Sequence, residues 1–349
     1  MISFIIPTFN RPEFITETLD SLLRNTDERW EAVCVDDGSD SETQGLLEAY
    51  SGKHDKIKYI RRTTHPKGAP HCRNIGVKHA AGEHLVFLDS DDLVAPWCVS
   101  DQVKTIKKFP DYDLWAFSLL TFTNKPGDSE VLWEKDFTGC TSNLEKILFK
   151  DNPWSTTSFL WRKDKFLKDG WNEQLICWQD WELHLRVILQ NLRIKENYSE
   201  RPQFFIRRNN GSQITNESTF KKTLLSRRYL FLHSYRLLQG HNQANRENVA
   251  ALSGYVFRDA MRIIDHQMNI SYKEFYKLLK KFNISKKDYF SGYLFLRWRA
   301  FVVKHRLENK LTRFEWPLWV PSEFSSKRQY KVQKIKPEFL KQIQILDFW

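Results

Sequence analysis

The sequence predicts an α/β fold in which a mostly parallel sheet is flanked by helices and followed by a basic, helical C-terminal extension. Three observations carry that expectation. Short β-rich runs alternate with helical runs through the first 90 residues, the order that builds a parallel sheet with right-handed crossovers. Several of the β-rich runs end abruptly in polar clusters. Charge is also unevenly divided: residues 216–349 hold 26 Lys and Arg against 11 Asp and Glu, while the first 215 hold the remaining 28 against 32.

In chain order, "ISFII" (2–6) reads as a buried strand. "PEFITETLDSLLRN" follows as a helix, with Pro12 in its first turn and Ile15, Leu19, Leu22 and Leu23 at helical spacing. "WEAVCV" (30–35) is a strand, "SETQGLLEAY" a helix and "IKYIR" (57–61) a third strand. The next helix has Pro70 near its start and is expected to run to Gly82 as its C-cap, leading into "HLVFL" (84–88). From about 110 to 215, "DLWAFSLLTF" and "QFFIRR" read as strands and "WQDWELHLRVILQN" as a helix. Beyond 215, the runs beginning "FKKTLLSRRY", "ENVAALSGYV", "YKEFYKLLKKF" and "DYFSGYLFLRW" all read as helices.

Composition narrows the class. A chain of 349 residues with 41% hydrophobic content has ample core for a globular protein. Its five cysteines (34, 72, 98, 140 and 177) are odd in number and form no CxxC pair, which argues against a disulfide framework or zinc site and for a reducing, cytoplasmic setting. With a strand expected from residue 2, no signal peptide is expected, and no run of about 18 apolar residues is present to span a bilayer.

The polar clusters are Pro7-Thr8-Phe9-Asn10-Arg11, Asp36-Asp37-Gly38-Ser39 and Asp89-Ser90-Asp91-Asp92. Parallel strands share a direction, so these clusters are expected at one edge of the sheet, where open α/β folds bind ligands. Carboxylates at i and i+2, such as Asp89 and Asp91, suit one hard divalent cation, Mg²⁺ or Mn²⁺; taken alone they are more often an Asp-rich turn or helix N-cap. Arg73, near a helix start, suits diphosphate oxygens. Together these groups suit a nucleoside diphosphate.

Four stretches, "FIIPTFNRPEFITETLDSLL", "VCVDDGSDSET", "KGAPHCRNIGVKHAAGEHLVFLDSDD" and "STTSFLWRKDKFLKDGWNEQLICWQDWEL", together resemble glycosyltransferase family 2, inverting sugar-nucleotide-dependent enzymes with a GT-A (Rossmann-like) fold. The resemblance covers roughly residues 1–215 and implies a GT-A domain there, with the helical, basic, aromatic-rich region 216–349 outside it. It implies that Pro7, Thr8 and Phe9, with Asn10 in the same turn, lie against the nucleoside, and that Asp37 hydrogen-bonds the base. Arg73 and Asn74 match the "ARNxG" motif, with Cys72 in place of its Ala. Asp89, Ser90 and Asp91 match the DxD motif, Asp89 reaching the ribose or sugar and Asp91 the Mn²⁺ or Mg²⁺; Asp92 is expected to cap the next helix. Asp180 matches the Asp of the "ED" pair and is the implied catalytic base, with Gln179 replacing the Glu and Glu182 as the rival base. Arg207 or Arg208 in "FFIRRNNGSQIT" is the implied phosphate partner. Trp178 and Trp181 stack on a sugar ring or belong to the core.

The implied activity is metal-dependent, inverting transfer of a sugar from a nucleoside diphosphate donor, a UDP-sugar being favoured. The acceptor is a hydroxyl of a glycan or lipid-linked molecule in cell-surface polysaccharide or lipooligosaccharide synthesis. The helix at 286–308 mixes aromatic and cationic residues, which suits an anionic membrane surface at the inner face of the membrane or packing on the catalytic domain. "LFLRW" has Leu294 where processive synthases carry Gln, which disfavours a processive enzyme. Two alternatives stand beside this reading. A sugar-nucleotide nucleotidyltransferase would want a Gly-rich loop after the first strand, where the chain reads "PTFNRPEF". A nucleic-acid binder explains the basic tail but not the acidic edge, so no nucleic acid is expected.

Overall fold

The computed structural model describes residues 1–305 and 331–346, apart from 138, 151, 199–200, 209–216, 269, 283 and 345. In chain order the strands are β1 (Ile2–Thr8), β2 (Trp30–Asp36), β3 (Ile57–Arg61), β4 (His84–Phe87), β5 (Leu93–Val94), β6 (Leu114–Phe117), β7 (Leu119–Phe122), β8 (Val131–Asp136), β9 (Phe159–Arg162), β10 (Ile194–Asn197), β11 (Phe204–Arg207) and β12 (Lys331–Lys334). The helices used below are α1 (Pro12–Leu23), α2 (Ser41–Lys53), α3 (Ala69–His79), α4 (Cys98–Lys108), α5 (Asn143–Glu145), α6 (Gln179–Leu189), α7 (Glu217–Gly240), α8 (Arg246–Asp265), α9 (Tyr272–Tyr276) and α10 (Lys286–Lys304).

The main sheet has the order β10-β6-β9-β4-β1-β2-β3. β1 lies between β2 and β4, parallel to both, and β3 continues the parallel half. Nearly every side chain of β1 and β2 is buried, because helices cover both faces, and this is why the two strands read as continuous apolar runs. β9 is inserted antiparallel between β4 and β6. The expected mostly parallel sheet is thus present with one reversed strand. "FLWR" gives no strand signal in the sequence because four residues buried on both faces show no alternation.

Two other expectations change. "DLWAFSLLTF" is not one strand: it breaks at Ser118, with β6 in the main sheet and β7 in a second sheet of order β12-β8-β7-β11-β5. A hydrophobic run carries no mark of where a chain passes from one sheet to another. The helix after Pro70 ends at His79, so Gly82 is not its C-cap. A Cβ at Gly82 would meet Ser3 Oγ at 2.6 Å and the Met1 carbonyl oxygen at 2.8 Å, so the glycine serves a close backbone approach. Gly76 works likewise: its Cβ would sit 2.3 Å from Ile5 Cγ2, and its absence lets α3 lie directly on β1.

Helices α7 to α10 share one core with the chain before them: Leu224, Phe231, Tyr255 and Leu296 are buried together with Ile147, Trp181 and Leu185. The region expected to be helical also contains β12, which pairs with β8. A helix over Pro337–Gln344 follows it and places Ile343 against Leu93, Phe122 and Phe205. No helix among the described residues is long and apolar enough to cross a membrane.

Candidate active site

β1, β2 and β4 run parallel, so the chain segments leaving them emerge at one edge. There a cavity of about 370 Å³ is lined by Pro7, Thr8, Phe9, Arg11, Asp37, Ala69, Cys72, Arg73, Asp89, Ser90 and Asp91. Eight of the residues singled out in the sequence therefore converge: Pro7, Thr8, Phe9, Asp37, Arg73, Asp89, Ser90 and Asp91. Asn10, Asn74, Asp180 and Arg207 are not among the lining residues.

On one side the cavity is bounded by Asp37, whose Oδ2 accepts from the Gly68 N–H at 2.9 Å while Oδ1 pairs with Arg62 Nε. Arg62 also donates to the Asp37 carbonyl at 3.0 Å, so the carboxylate is fixed before any ligand arrives. Phe9 is 49% exposed at the mouth. Asn10 turns aside: its backbone N–H donates to Ser39 Oγ at 3.0 Å and its Oδ1 accepts from the Asp40 N–H at 2.8 Å. It ties the first loop to the second and does not face the cavity.

Arg73 is the hub. Its Nη2 donates to Asp89 Oδ1 at 2.6 Å, its Nη1 donates to Gln179 Oε1 at 3.0 Å, and its guanidinium lies 4.5 Å over the Trp171 ring. The residue is buried, held by helix α3 close against β1. Its neighbour Asn74 faces away from the cavity, donating to the Trp171 carbonyl at 2.9 Å and to Glu173 Oε1 at 2.7 Å. It anchors the loop that leads into α6.

The three acids after β4 separate by environment. Asp89 holds Arg73, and Asp91 pairs with Arg11. Burial, and then the Asp89 charge, push the Asp91 carboxyl above the usual range, against the pull of Arg11. Asp92 is not a helix cap, since α4 begins at Cys98 with Trp97 before it. It is buried, accepts from the Arg207 N–H at 3.2 Å and from Thr157 Oγ1 at 3.3 Å, and burial raises its carboxyl well above the ordinary value.

Arg207 is likewise placed differently from the expectation. Its Nε donates to the Asp91 carbonyl at 3.2 Å, its Nη2 pairs with Glu17, and it lies over Phe14 and Phe122. It braces the acidic turn from behind. Arg208 lies 4.2 Å over the Trp133 ring, and residues 209–215 of the same stretch fall outside the described residues.

Asp180 stands in the first turn of α6. Asn152 Nδ2 donates to its Oδ2 at 2.8 Å and the Trp181 N–H donates to its Oδ1 at 2.9 Å. Burial raises its carboxyl above the ordinary range despite the Trp181 N–H and the Arg73 charge. The rival, Glu182, is spent on structure: Arg186 grips it with two bonds of 2.8 Å, and His233 Nε2 lies 2.9 Å away. Burial works to raise its carboxyl, but His233 and Arg186 outweigh that and hold it below the usual range. Trp181 is buried in the shared core and Trp178 packs against it.

The sequence reasoning placed Arg11 at this edge without a role and missed Arg62 and Asn152. Arg62 follows β3 at the same sheet edge, so the strand-end rule that flagged the other clusters applies to it as well. Asn152 sits in "KDNPW", which carries no motif.

A divalent cation fits this set in part. Asp89 and Asp91 are hard oxygen donors suited to it, and Asp91 already draws a cation, Arg11, to its carboxylate. Among the described residues no three His, Cys, Asp or Glu side chains converge to hold a metal, so an ion here would take its remaining ligands from a bound diphosphate and water.

Residues 3–171 match the profile described as Glycosyl transferase family 2. A poly(ribitol-phosphate) β-glucosyltransferase of Bacillus spizizenii is 39% identical over 95 residues, 27% of this chain and 15% of that protein. An uncharacterized glycosyltransferase of Haemophilus influenzae is 28% identical over 196 residues, 54% of this chain and 62% of that protein. The chain spans less than two thirds of the length of these relatives. The S. aureus TarS fragment 1–349, solved in complex with UDP-GlcNAc, superposes with a TM-score of 0.63 at 18% identity, covering 96% of this chain and 97% of that one. The shared feature at that identity is the fold, a mixed α/β architecture of the GT-A type.

Proposed function

Since residues 3–171 belong to glycosyltransferase family 2, we propose that this chain is an inverting, metal-dependent glycosyltransferase. It moves a sugar from a nucleoside diphosphate donor, a UDP-sugar by preference, to a hydroxyl of a glycan or lipid-linked acceptor in the synthesis of cell-surface polysaccharide or lipooligosaccharide. The observation that carries the proposal is the meeting of Asp37, Arg73, Asp89 and Asp91 around one cavity, with Gln179 joining Arg73 to the turn that bears Asp180. The UDP-GlcNAc held by the structural neighbour supports the preference for UDP.

In this reading Asp37 accepts from the base and Phe9 covers the nucleoside. Arg73 faces the diphosphate. Asp180 accepts the proton of the acceptor hydroxyl as that oxygen attacks the anomeric carbon and the bond to the nucleotide breaks, a single displacement that inverts the centre. Asp91, with Asp89 beside it, would hold Mn²⁺ or Mg²⁺, which supplies electrostatic stabilisation of the leaving diphosphate. Thermal shift with UDP, GDP and dTDP, each with and without Mn²⁺, tests the proposal. One nucleotide should raise Tm only with the metal, and Asp91→Ala should remove that rise; metal-independent or absent stabilisation by all three would sink it.

The partner for the basic region, in the same proposal, is an anionic membrane surface at the cytoplasmic face. On α10, Phe290, Leu294 and Phe301 are 61%, 40% and 54% exposed and share a stripe with Arg297 and Lys304, a pattern of aromatics and cations that suits a bilayer interface. Phe295, Leu296, Val302 and Val303 on the other side of the helix are buried. The chain should sediment with anionic vesicles at low salt and lose this as salt rises, and Phe290→Ser with Phe301→Ser should weaken it. Equal sedimentation with neutral vesicles would argue against it.

A further inference from the structure

We infer that helices α7 and α8 are part of the catalytic unit, and that Arg227, paired with Asp259, is a positioning residue for Asp180. The inference rests on the reading of Asp180 as base.

The segment before Asp180 is held residue by residue along one face of α7. The Ile176 N–H donates to Ser226 Oγ at 3.1 Å, Cys177 Sγ lies 3.8 Å from the Thr223 carbonyl oxygen, and the Arg227 guanidinium lies 4.2 Å over the Trp178 ring. Positions 223, 226 and 227 are neighbours at helical spacing, so three consecutive loop residues rest on one turn and its neighbour. Trp178 itself is in the left-handed region, φ 56°, ψ 31°, immediately before α6. A tryptophan in that conformation carries a backbone cost, and such a cost persists only where the surroundings over-determine it.

Arg227 supplies that determination. Its side chain is 7% exposed and its Nη2 lies 2.8 Å from Asp259 Oδ1, with Asp259 fully buried on α8. A cation desolvated over an indole face is held more strongly than an exposed one. Tyr255, also on α8, meets the same ring edge-on at 5.3 Å. Two helices of the basic region thereby fix the residue two positions before Asp180. The Asn152 bond to Asp180 steadies the carboxylate itself, but the backbone beneath it is set from α7 and α8.

The pair lends itself to a test that keeps the fold. Replacing a buried ion pair by neutral groups of like volume leaves no buried charge unpaired, and Arg262, the other cation near Asp259, is 53% exposed, so Arg227→Met with Asp259→Asn is the variant to make. Its kcat for transfer should fall on the order of 10- to 100-fold through misplacement of the base, while donor KM and the nucleotide-dependent thermal shift stay as in the unmodified chain. Arg227→Lys, which keeps a cation over the indole, should recover part of the rate. An unchanged kcat in the neutral pair variant overturns the inference. If that variant does not fold, Ser226→Ala, which removes the Ile176 anchor alone, decides in its place: a lowered kcat supports the inference and an unchanged one overturns it. The same changes made on Asp180→Asn should cost nothing further, because both act through one group, and additive losses overturn the positioning role. Full transfer by Asp180→Asn alone would strike the base assignment instead, and the two failures are told apart by that single variant.

Discussion

Asp180→Asn should bind nucleotide as the unmodified chain does and lose transfer by about 10² to 10⁴-fold in kcat, the range a positioned general base contributes. Asn has the same shape and can still accept from the Trp181 N–H, so the start of α6 is preserved, while its amide nitrogen gives up the bond that Oδ2 accepts from Asn152 Nδ2. What it cannot do is take a proton. Burial suits Asp180 to proton abstraction, because it lifts the carboxyl above its ordinary value against the Trp181 N–H and the Arg73 charge, and a carboxylate of higher pKa is a better base near neutral pH. Two further results follow from the sign of that shift. The unmodified enzyme should gain rate as pH rises through the raised pKa and then level off, and this limb should be missing in the variant. A carboxyl whose folded pKa is raised contributes stability that is lost as pH rises through that value, so Tm of the unmodified chain should fall across that pH range more than Tm of the variant. Transfer assays across pH with parallel calorimetry would show both, and full transfer in the variant would refute the base assignment.

Arg73→Ala should weaken nucleotide binding and lower kcat/KM for the donor by roughly 10- to 100-fold, the effect of losing charge-assisted hydrogen bonds of about 1.5–3 kcal/mol. One guanidinium reaches both Asp89 and Gln179 while lying over Trp171. Its loss therefore removes the cation proposed to face the diphosphate, leaves Asp89 without its partner, and unhooks the turn that carries Asp180. Arg73→Lys should rescue little, because an ammonium is a single point charge and cannot bridge two acceptors in fork geometry. Calorimetric titration with UDP and Mn²⁺ reads the change directly; an unaltered Kd in Arg73→Ala would exclude the residue from donor binding.

The parallel half of the fold was legible because burial on both faces leaves β1 and β2 as apolar runs that stop at polar clusters. The direction of those strands then brought Asp37, Asp89 and Asp91 to one edge without any contact being known. What the sequence concealed depends on contacts that leave no local pattern. Ser118 is one small polar residue inside an apolar run, which by itself does not end a strand, yet two sheets part there. Asn10, Asn74 and Arg207 belong to the motifs but turn to brace loops, and nothing in a motif tells a residue that touches ligand from one that holds its neighbour. The end of α3 at His79 was missed because Gly82 has the residue type of a C-cap while serving an approach to the Met1–Ser3 backbone that only the folded chain reveals.

The reversed strand β9 has a consequence for how such a protein can change its substrates. Running against β4, it brings its entry segment to the same sheet edge, so that Asn152 reaches Asp180 and Thr157 reaches Asp92. The proposed donor side is built from strand ends locked in the middle of a parallel sheet, where an inserted residue would disturb the core. The segment 152–158 enters a single four-residue strand and is itself packed, with Trp154 and Thr157 fully buried and Asn152 Oδ1 2.9 Å from His184 Nδ1. In the proposed reading, a substitution at Asn152 acts on the base and leaves Asp37, Arg73 and Asp91 as they are, so this entry segment offers a way to alter the acceptor side separately from the donor side.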